Sequence, residues 1–365
     1  MATLFVCGDV MLARGIDQIL PEPCPPTLYE TYVRDAREYV ELARRVSGEI
    51  PHPVPPAYPW GDALEILDQV NPESRIVNLE TSITRSSDRD RRKQIHYRVS
   101  PENARCLAAA KVGVCTLGNN HVLDWGRAGL DETLATLDTL GIQHAGAGRD
   151  LTEAQRPALV ELADGERLAV FSVGCADAGV PTSWAPTADR PGVHMLSGFG
   201  DHAVRQLRRV IDPWRATRTR IVLSIHWGAN WSLAIPPEHR ELAHRMIDEA
   251  GVDIVHGHSS HHVKGIEVWH QRLVLYGCGD LLTDYEGIRG YEEFHGDLGL
   301  LYFPRLAADG TLRALEMVPT RMHRLRITRA TDEEAHLLAA MITRSGAELG
   351  ASVLVDDQAR LRLAW

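Results

Sequence analysis

The stretch "VGVCTLGNNHVLDWG", residues 112–126, changes from an apolar run to a polar loop within a few positions. Its first half has the β-branched and apolar side chains of a buried strand. After a glycine, the chain places Asn119, Asn120 and His121 in a row, and Asp124 follows three residues later. In open α/β sheets, functional groups collect beyond the carboxyl ends of the strands. The stretch therefore predicts a buried strand that delivers polar groups to one corner of a site.

Other apolar runs along the chain end in polar groups in the same way. These runs alternate with amphipathic, helix-like stretches, a pattern that predicts an α/β fold with buried strands. The polar groups that follow them are, in chain order, Asp9, Asn78 with Glu80, His226, four histidines between His256 and His262, and Asp280. Carboxylates, amide oxygens and imidazoles suit Zn, Mn or Fe better than they suit a thiolate-binding metal. Their repetition at successive strand ends predicts a metal site.

Each of these residues also has a simpler explanation. A single aspartate after a strand, such as Asp9, is often a turn or helix cap, and paired asparagines are common in turns. His226 lies among apolar residues and is compatible with a hydrogen-bonded core histidine. His256 and His262 flank the histidine run and could serve only to hydrogen-bond its backbone. Independent turns have no reason to supply one ligand type after another, so we favour the metal site.

Composition excludes several classes of protein. The chain of 365 residues has a formal net charge of −10, with 44% hydrophobic and 24% charged residues. It has no basic stripe with interleaved aromatic residues, so nucleic acid is not an expected partner. The first residues lack the basic start of a signal peptide and no apolar segment is long enough to span a membrane, so a cytoplasmic location is expected. The six cysteines are widely spaced and are expected to be reduced core residues.

The chain is expected to form one large domain, residues 1–324, followed by a small α/β extension, residues 325–365. Prolines at both ends predict an insertion at about 21–59, and a long loop predicts a second insertion at about 177–199. The extension is predicted to contain one helix followed by two short strands.

Five short motifs carry a resemblance to a known family. They are GD at 8–9, NLE at 78–80, NNHxxDxG at 119–126, HWG at 226–228 and GHxxH at 257–261. Their order resembles the CapA family, named for a capsule protein of poly-γ-glutamate biosynthesis, which is itself similar to the calcineurin-like metallophosphoesterases. The similarity extends from Asp9 to about Glu286, and the motif at 119–126 is its most specific part. It implies an α/β fold, a four-layer α/β/β/α sandwich, with one or two metal ions at the strand ends.

The resemblance also implies roles for individual residues. Asn120 is expected to ligate a metal, His121 to act in catalysis and Asp124 to orient the imidazole of His121. Together with the strand-end groups, the predicted metal ligands are Asp9, Glu80, Asn120, His226, His258 and His261. The residues predicted to support these ligands are Asn78, His262 and Asp280.

Two departures from the superfamily pattern leave the number of metals open. The first superfamily motif is D-x-H, whereas Met11 stands in the position of the histidine here. The second motif normally brings an aspartate that bridges two metals, and Glu80 is the nearest equivalent. One or two divalent transition metal ions, Zn, Mn or Fe, are therefore expected. The H-x-x-H spacing also leaves His262 as an alternative to His261, and Asp280 as an additional ligand.

The predicted function is metal-dependent hydrolysis. A divalent ion lowers the pKa of its bound water towards about 7 and polarises the bond under attack. That bond is predicted to be an amide of γ-glutamyl type or a phosphoester, with His121 protonating the leaving group. The sequence has neither a G-x-S-x-G nucleophile motif nor a Walker loop, so it indicates no other catalytic centre. Two alternatives remain: a non-catalytic accessory or binding protein of polyglutamate capsule synthesis, and an enzyme recruited to a small-molecule pathway.

An anionic substrate, either a small molecule or a polymer, is predicted from a basic stretch after the second motif. This stretch is "SDRDRRKQIHYR", residues 87–98. The residues predicted to contact the substrate are Arg14, Arg91, Arg92, Lys93 and Trp227. A run of charges is also typical of a solvated loop, and a tryptophan beside a strand is also typical of core packing.

Overall fold

The structure, a computed structural model, describes residues 1–215 and 219–365, apart from the side chain of Asp164. Within these ranges the chain forms two large sheets, two small two-stranded sheets and nine α-helices. None of the described helices is long and apolar enough to cross a membrane.

The strands are, in chain order, β1 (Ala2–Val10), β2 (Ser74–Leu79), β3 (Ser82–Ile83), β4 (Arg98–Val99), β5 (Val114–Thr116), β6 (Gln143–Ala145), β7 (Ala147–Gly148), β8 (Ala158–Glu161), β9 (Arg167–Cys175), β10 (Gly192–Val193), β11 (Met195–Leu196), β12 (Thr219–His226), β13 (Ile254–His258), β14 (Ile266–Trp269), β15 (Arg272–Leu275), β16 (Asp280–Leu282), β17 (Leu298–Leu306), β18 (Leu312–Met322), β19 (Ile327–Arg329), β20 (Ser352–Val355) and β21 (Leu361–Ala364). The α-helices are α1 (Gly15–Ile19), α2 (Arg37–Ser47), α3 (Ala63–Val70), α4 (Arg105–Ala109), α5 (Gly126–Thr139), α6 (Leu151–Gln155), α7 (Asp201–Ile211), α8 (Pro237–Ala250) and α9 (Asp332–Ser345).

The first large sheet has β1 near its centre. Its order is β20-β21-β18-β17-β1-β2-β5-β6. Strands β1, β2, β5 and β6 are parallel, whereas β17 pairs antiparallel with β1. Strand β16 also pairs with the carboxyl end of β1. Because β1, β2 and β5 are parallel neighbours, their polar ends reach the same edge of the sheet.

The second large sheet has the order β11-β9-β12-β13-β15-β14, and β8 pairs with β9. Strands β9, β12, β13 and β15 are parallel. Helix α8 connects β12 to β13 as the crossover that a parallel pair requires. The register places His226, at the end of β12, opposite His258, at the end of β13.

The central strands are buried on both faces because alternate side chains point to opposite sides of a sheet. In β1, Phe5 and Cys7 pack with the helices, whereas Leu4 and Val6 pack in a cluster shared by the two large sheets. A third cluster joins the other face of the second sheet to α7 and α8. The predicted α/β class is confirmed, and the four-layer order stays a prediction.

The two predicted insertions contact loops of the main body. Segment 21–59 carries α2, and its Glu30 contacts Arg14, which lies just after β1. Segment 177–199 includes Trp184, whose indole nitrogen donates to Asp90 Oδ2 at 3.0 Å. Glu30 therefore lies near the end of β1, and Trp184 contacts the loop between β3 and β4.

The predicted C-terminal extension packs against the main body of the structure. Strand β21 pairs with β18 and thereby adds β20 and β21 to the first sheet. Leu338 and Ile342 of α9 lie in the apolar cluster shared by the two large sheets. The domain boundary at residue 325 stays a prediction.

Candidate metal centre

The ends of strands from both large sheets meet at one place. In the first sheet, the register aligns Asp9 at the end of β1 with Asn78 in β2 and Asp280 in β16. In the second sheet, His226 and His258 end adjacent strands. Packing of the two sheets brings these two edges together, so that Oδ1 of Asp9 lies 3.8 Å from Nδ1 of His258. Residues far apart in the sequence thus become neighbours.

These side chains form two groups of metal-ligating residues that share one carboxylate. The first group is Asp9, His226 and His258, and the second is Asp9, Glu80, His261 and Asp280. Within each group, one ligand atom of each residue lies within 4.8 Å of the others. A tetrahedral ion with bonds of about 2.0–2.2 Å separates its ligands by distances below this limit. Asp9 is common to both groups and would hold a cation in either of them.

The chemistry of the residues fits a divalent metal. In the candidate site, three buried polar atoms have no hydrogen-bond partner among the described residues: Nε2 of His226, Oδ2 of Asp280 and Oδ1 of Asn120. Buried polar atoms without a partner are costly. Burial, followed by the charge of Asp280, raises the pKa of Asp9 to about 7, and burial raises the pKa of Glu80 well above its usual value. Cations would satisfy the three atoms and offset the charge of the carboxylates.

Neighbouring residues fix the orientation of the ligands. Nδ2 of Asn78 donates to Oδ1 of Asp9 at 2.6 Å, and the backbone N–H of Ser259 donates to Oδ2 at 3.2 Å. The hydroxyl of Ser224 lies 2.7 Å from Nε2 of His258 and leaves Nδ1 of that ring facing the centre. Contacts of this kind set the tautomer of a ligating histidine. Asn78 therefore lies where a supporting residue is expected.

Ser224 is a member of the site that the sequence interpretation missed. It precedes His226 by two residues in β12, a spacing that puts both side chains on the same face of the sheet. This periodicity was the available signal, but by itself it does not distinguish a supporting serine from any other buried serine of a strand. Its hydrogen bond to Nε2 of His258 orients the ring of that histidine.

The histidines of the run at 256–262 have different surroundings. His258 and His261 belong to the two ligand groups. His256 instead bonds the backbone oxygen of Cys7 through Nε2 at 2.7 Å and so links the second sheet to β1 of the first. The simpler explanation for His256 was a hydrogen bond to the backbone of the histidine run, but its backbone partner lies in β1 instead.

His261 and His262 are distinguished by their positions. Nδ1 of His261 lies 3.0 Å from Oδ1 of Asp280. His262 accepts a bond from the backbone of Ser232 and lies outside both ligand groups. The geometry therefore brings His261, together with Asp280, to the centre.

The loop that follows β5 gives its two asparagines separate tasks. Oδ1 of Asn119 accepts the backbone N–H groups of His121 at 3.0 Å and Val122 at 3.1 Å, so Asn119 shapes the turn. Asn120 keeps its buried Oδ1 without a partner among the described residues. The turn explanation thus describes Asn119, and the ligand prediction stays open for Asn120.

His121 and Asp124 form a close pair beside the centre. Nδ1 of His121 lies 2.6 Å from Oδ2 of Asp124, and Nε2 lies 3.9 Å from Oε1 of Glu80. The ammonium group of Lys93 pairs with the other oxygen of Asp124, and the ring of Tyr97 stacks on His121 with centroids 3.9 Å apart. Burial lowers the pKa of His121 to about 4, whereas His121 and Lys93 hold the pKa of Asp124 below its usual value against the effect of burial. Nε2 of His121 therefore faces the centre while Nδ1 is held by a carboxylate.

The basic residues predicted to contact the substrate are unequal in position. Arg92 pairs with Asp90 on the surface at 2.6 Å. Lys93 is largely enclosed, and its contact with Asp124 makes it a neighbour of the histidine pair. Arg91 is exposed on the same loop. The sequence placed all three in one group because it could not show which of them turns inward.

Arg14 and Trp227 are both buried. Arg14 is 4% exposed and pairs with Asp284 and Glu30. Trp227 donates from its indole nitrogen to the backbone oxygen of Tyr276 at 3.0 Å and lies in the apolar core behind the second sheet. Core packing, the simpler explanation for Trp227, describes this position.

A cavity of about 460 Å³ opens beside the candidate centre. His121 and His261 lie at its inner end, and Trp231, Tyr285 and Tyr291 are among the aromatic residues that line it. Its position gives a small molecule access to the ligand groups. The sequence interpretation did not identify this aromatic wall, because its residues come from separate loops.

Comparisons with known proteins agree with the motifs. Residues 3–285 match the family model described as bacterial capsule synthesis protein PGA_cap. A protein from Mycobacterium tuberculosis, named probable polyglutamine synthesis accessory protein, is 45% identical over 357 residues, which cover 97% of this chain and 93% of the relative. The capsule biosynthesis protein CapA of Bacillus anthracis is 28% identical over 284 residues, which cover 77% of this chain and 60% of that protein.

Among solved structures, the 5′-nucleotidase precursor from Thermus thermophilus is similar with a TM-score of 0.46 and 13% sequence identity, over 94% of this chain and 58% of that chain. The family match includes all the ligand motifs from Asp9 to Asp280, and the resemblance expected from them is confirmed. The chain therefore belongs to the PGA_cap family of bacterial capsule synthesis proteins.

Proposed function

We propose that this protein is a metal-dependent hydrolase that cleaves a phosphoester or a γ-glutamyl amide bond in a substrate with an anionic reacting end. The observation that carries the proposal is the pair of buried ligand groups sharing Asp9, next to the His121–Asp124 pair. A purely structural ion is normally enclosed by protein ligands, whereas a catalytic ion keeps access to substrate. The cavity that reaches His121 and His261 supports the catalytic alternative.

The residues of the site have separate tasks in this proposal. When bound, divalent cations polarise the bond under attack and lower the pKa of water. Asp9 is common to both ligand groups, and Asp124 accepts a hydrogen bond from Nδ1 of His121. The ammonium group of Lys93 stabilises the ionised form of Asp124. Because Nδ1 of His121 is held by Asp124, Nε2 is the nitrogen that exchanges a proton with the leaving group. The stacked ring of Tyr97 restricts rotation of the imidazole.

A non-catalytic accessory role is the second candidate, favoured by the name of the Mycobacterium tuberculosis relative. In that role the ligand groups would hold cations for binding alone. The oriented His121 argues for catalysis, since an imidazole held by a buried carboxylate is the arrangement of a general acid or base. The names of the relatives support the amide bond, and the resemblance to metallophosphoesterases supports the phosphoester.

Metal analysis combined with a substrate screen tests the proposal. Protein purified without chelator should contain about one to two equivalents of transition metal. It should hydrolyse a member of either a panel of simple phosphoesters or a panel of γ-glutamyl peptides, lose this activity with chelator, and regain it with Zn, Mn or Fe. Metal binding without turnover on both panels would favour the accessory role. Protein that binds none of the three metals would contradict both candidates.

A further inference from the structure

The outer part of the cavity is apolar and aromatic. Its mouth is lined by Tyr32, Val46, Ile288 and Tyr291, which are 65%, 67%, 37% and 47% exposed. Tyr291 also stacks on Trp231, with ring centroids 4.3 Å apart and an angle of 14° between the planes. Large apolar side chains gathered at one opening mark a binding surface more often than chance exposure. The wall is thus suited to a flat, uncharged group.

The arginines that line the cavity are already paired with carboxylates. Arg14 pairs with Asp284 and Glu30, as described above. Arg321 pairs with Glu334 at 2.6 Å, and Asp297 lies 3.7 Å from its second nitrogen. Among the described residues that line the cavity there is no lysine, and both arginines have carboxylate partners. Carboxylates held in the cavity away from the metal centre would lose their hydration, and the arginines near them already have acidic partners.

The basic stretch 87–98 does not change this balance. Arg91, Arg92 and Lys93 are absent from the cavity lining. Acidic Glu286, Glu292 and Asp297 line it instead, although the first of these is occupied by bonds from Ser47 and the backbone at 324–325. The charge of the lining therefore opposes a polyanion.

His121 identifies which side of the substrate enters the cavity. This histidine lines the inner end, and in the proposed function its Nε2 serves the leaving group. We propose that the cavity is a leaving-group subsite for a flat, uncharged apolar or aromatic moiety, while the metal centre takes a single anionic reacting group. The substrate class is then a small phosphoester or γ-glutamyl amide with such a leaving group, and a polyglutamate chain is excluded from this subsite. The inference rests on the proposed function for the reacting end, but its apolar half can be tested separately.

Two non-hydrolysable phosphonates isolate the contribution of the cavity. Calorimetry on metal-loaded protein should show naphthylmethylphosphonate binding at least about tenfold more tightly than methylphosphonate, since burial of each CH₂-sized apolar group contributes about 0.8 kcal/mol. Tri-γ-glutamate should compete no better than methylphosphonate. The proposal would be overturned if tri-γ-glutamate displaced the naphthyl ligand at a lower concentration than methylphosphonate does, with an affinity that falls as salt rises.

Variants of Tyr291 connect this preference to the wall. Tyr291→Ala should weaken naphthylmethylphosphonate binding about two- to tenfold and leave methylphosphonate unchanged, because an aromatic pair contributes about 0.5–1.5 kcal/mol. Tyr291→Phe should retain the affinity. Trp365→Ala removes another exposed aromatic ring, at the end of the chain and outside the cavity lining, and serves as the matched control. Equal losses for both phosphonates, or for Trp365→Ala, would contradict the assigned subsite.

A third measurement separates this inference from the proposed function. Binding of 2-naphthol to chelator-treated protein requires the cavity but neither metal nor turnover. Binding that weakens in Tyr291→Ala supports the subsite even if no hydrolysis is found. Metal-dependent hydrolysis without 2-naphthol binding, and without preference between the two phosphonates, would support the proposed function and reject the subsite.

Discussion

His258 and His121 are both buried histidines, but their contacts predict opposite consequences of substitution. His258 lies in a ligand group with Asp9, whereas His121 lies outside both ligand groups and is held by Asp124. We expect His258→Ala to lower metal content and His121→Ala to retain it while turnover falls about 10²- to 10⁴-fold. Elemental analysis and initial rates on the same preparations give the comparison. Equal metal loss in both variants would show that this division of roles is wrong.

Lys93 is expected to act through Asp124. Lys93→Met removes the ion pair, so kcat should fall about tenfold or more while KM and metal content stay near their original values, because a hydrogen bond to a charged group contributes about 1.5–3 kcal/mol. Lys93→Arg should retain part of the rate. The exposed Arg91→Ser variant, from the same loop, is the control. A steep rise in KM with unchanged kcat would instead return Lys93 to the substrate-contacting role predicted from the sequence.

At the scale of elements, the close approach of β1 to the loop before β16 positions two of the candidate ligands, Asp9 and Asp280. A Cβ added to Gly8 would lie only 1.6 Å from the backbone oxygen of Gly279. We expect Gly8→Ala to push these segments apart, with a stability loss of at least about 1–3 kcal/mol and loss of bound metal. In Gly113→Ala, the nearest atom to the new Cβ is 3.8 Å away. Denaturant unfolding and metal analysis of both variants test this, and similar behaviour of the two would contradict it.

At the scale of the molecule, the candidate centre joins the two large sheets. The first sheet and its following loops supply Asp9, Glu80 and Asp280, and the second supplies His226 and His258. A cation held by both sheets should stabilise the fold, by about 2.7 kcal/mol when its free concentration is 100 times Kd. The melting temperature should fall by several degrees with chelator and recover with metal. His258→Ala should lose most of this response, and an unchanged Tm with and without metal in the original protein would argue against a centre shared by the sheets.

The sequence determined the class of fold and most of the candidate ligands. Buried strands require continuous apolar runs, and the polar groups after them interrupt those runs at fixed points, so both are visible in one dimension. Asp9, Glu80, His226 and His258 are therefore recognisable in the sequence as candidate ligands, and the motif at 119–126 indicates the family. The roles of these residues remain predictions for the experiments above.

Only the tertiary structure decided which of several similar residues face the centre. His261 and His262 are adjacent in sequence, and Lys93 follows Arg92, yet in each pair one member points inward and the other contacts the loop or solvent. The supporting bond from Ser224, the burial of Trp227 and the aromatic cavity likewise depend on segments that are distant along the chain. Periodicity reports the direction of a side chain within one element. Contacts between elements depend on register, loop path and sheet packing, which no local pattern specifies.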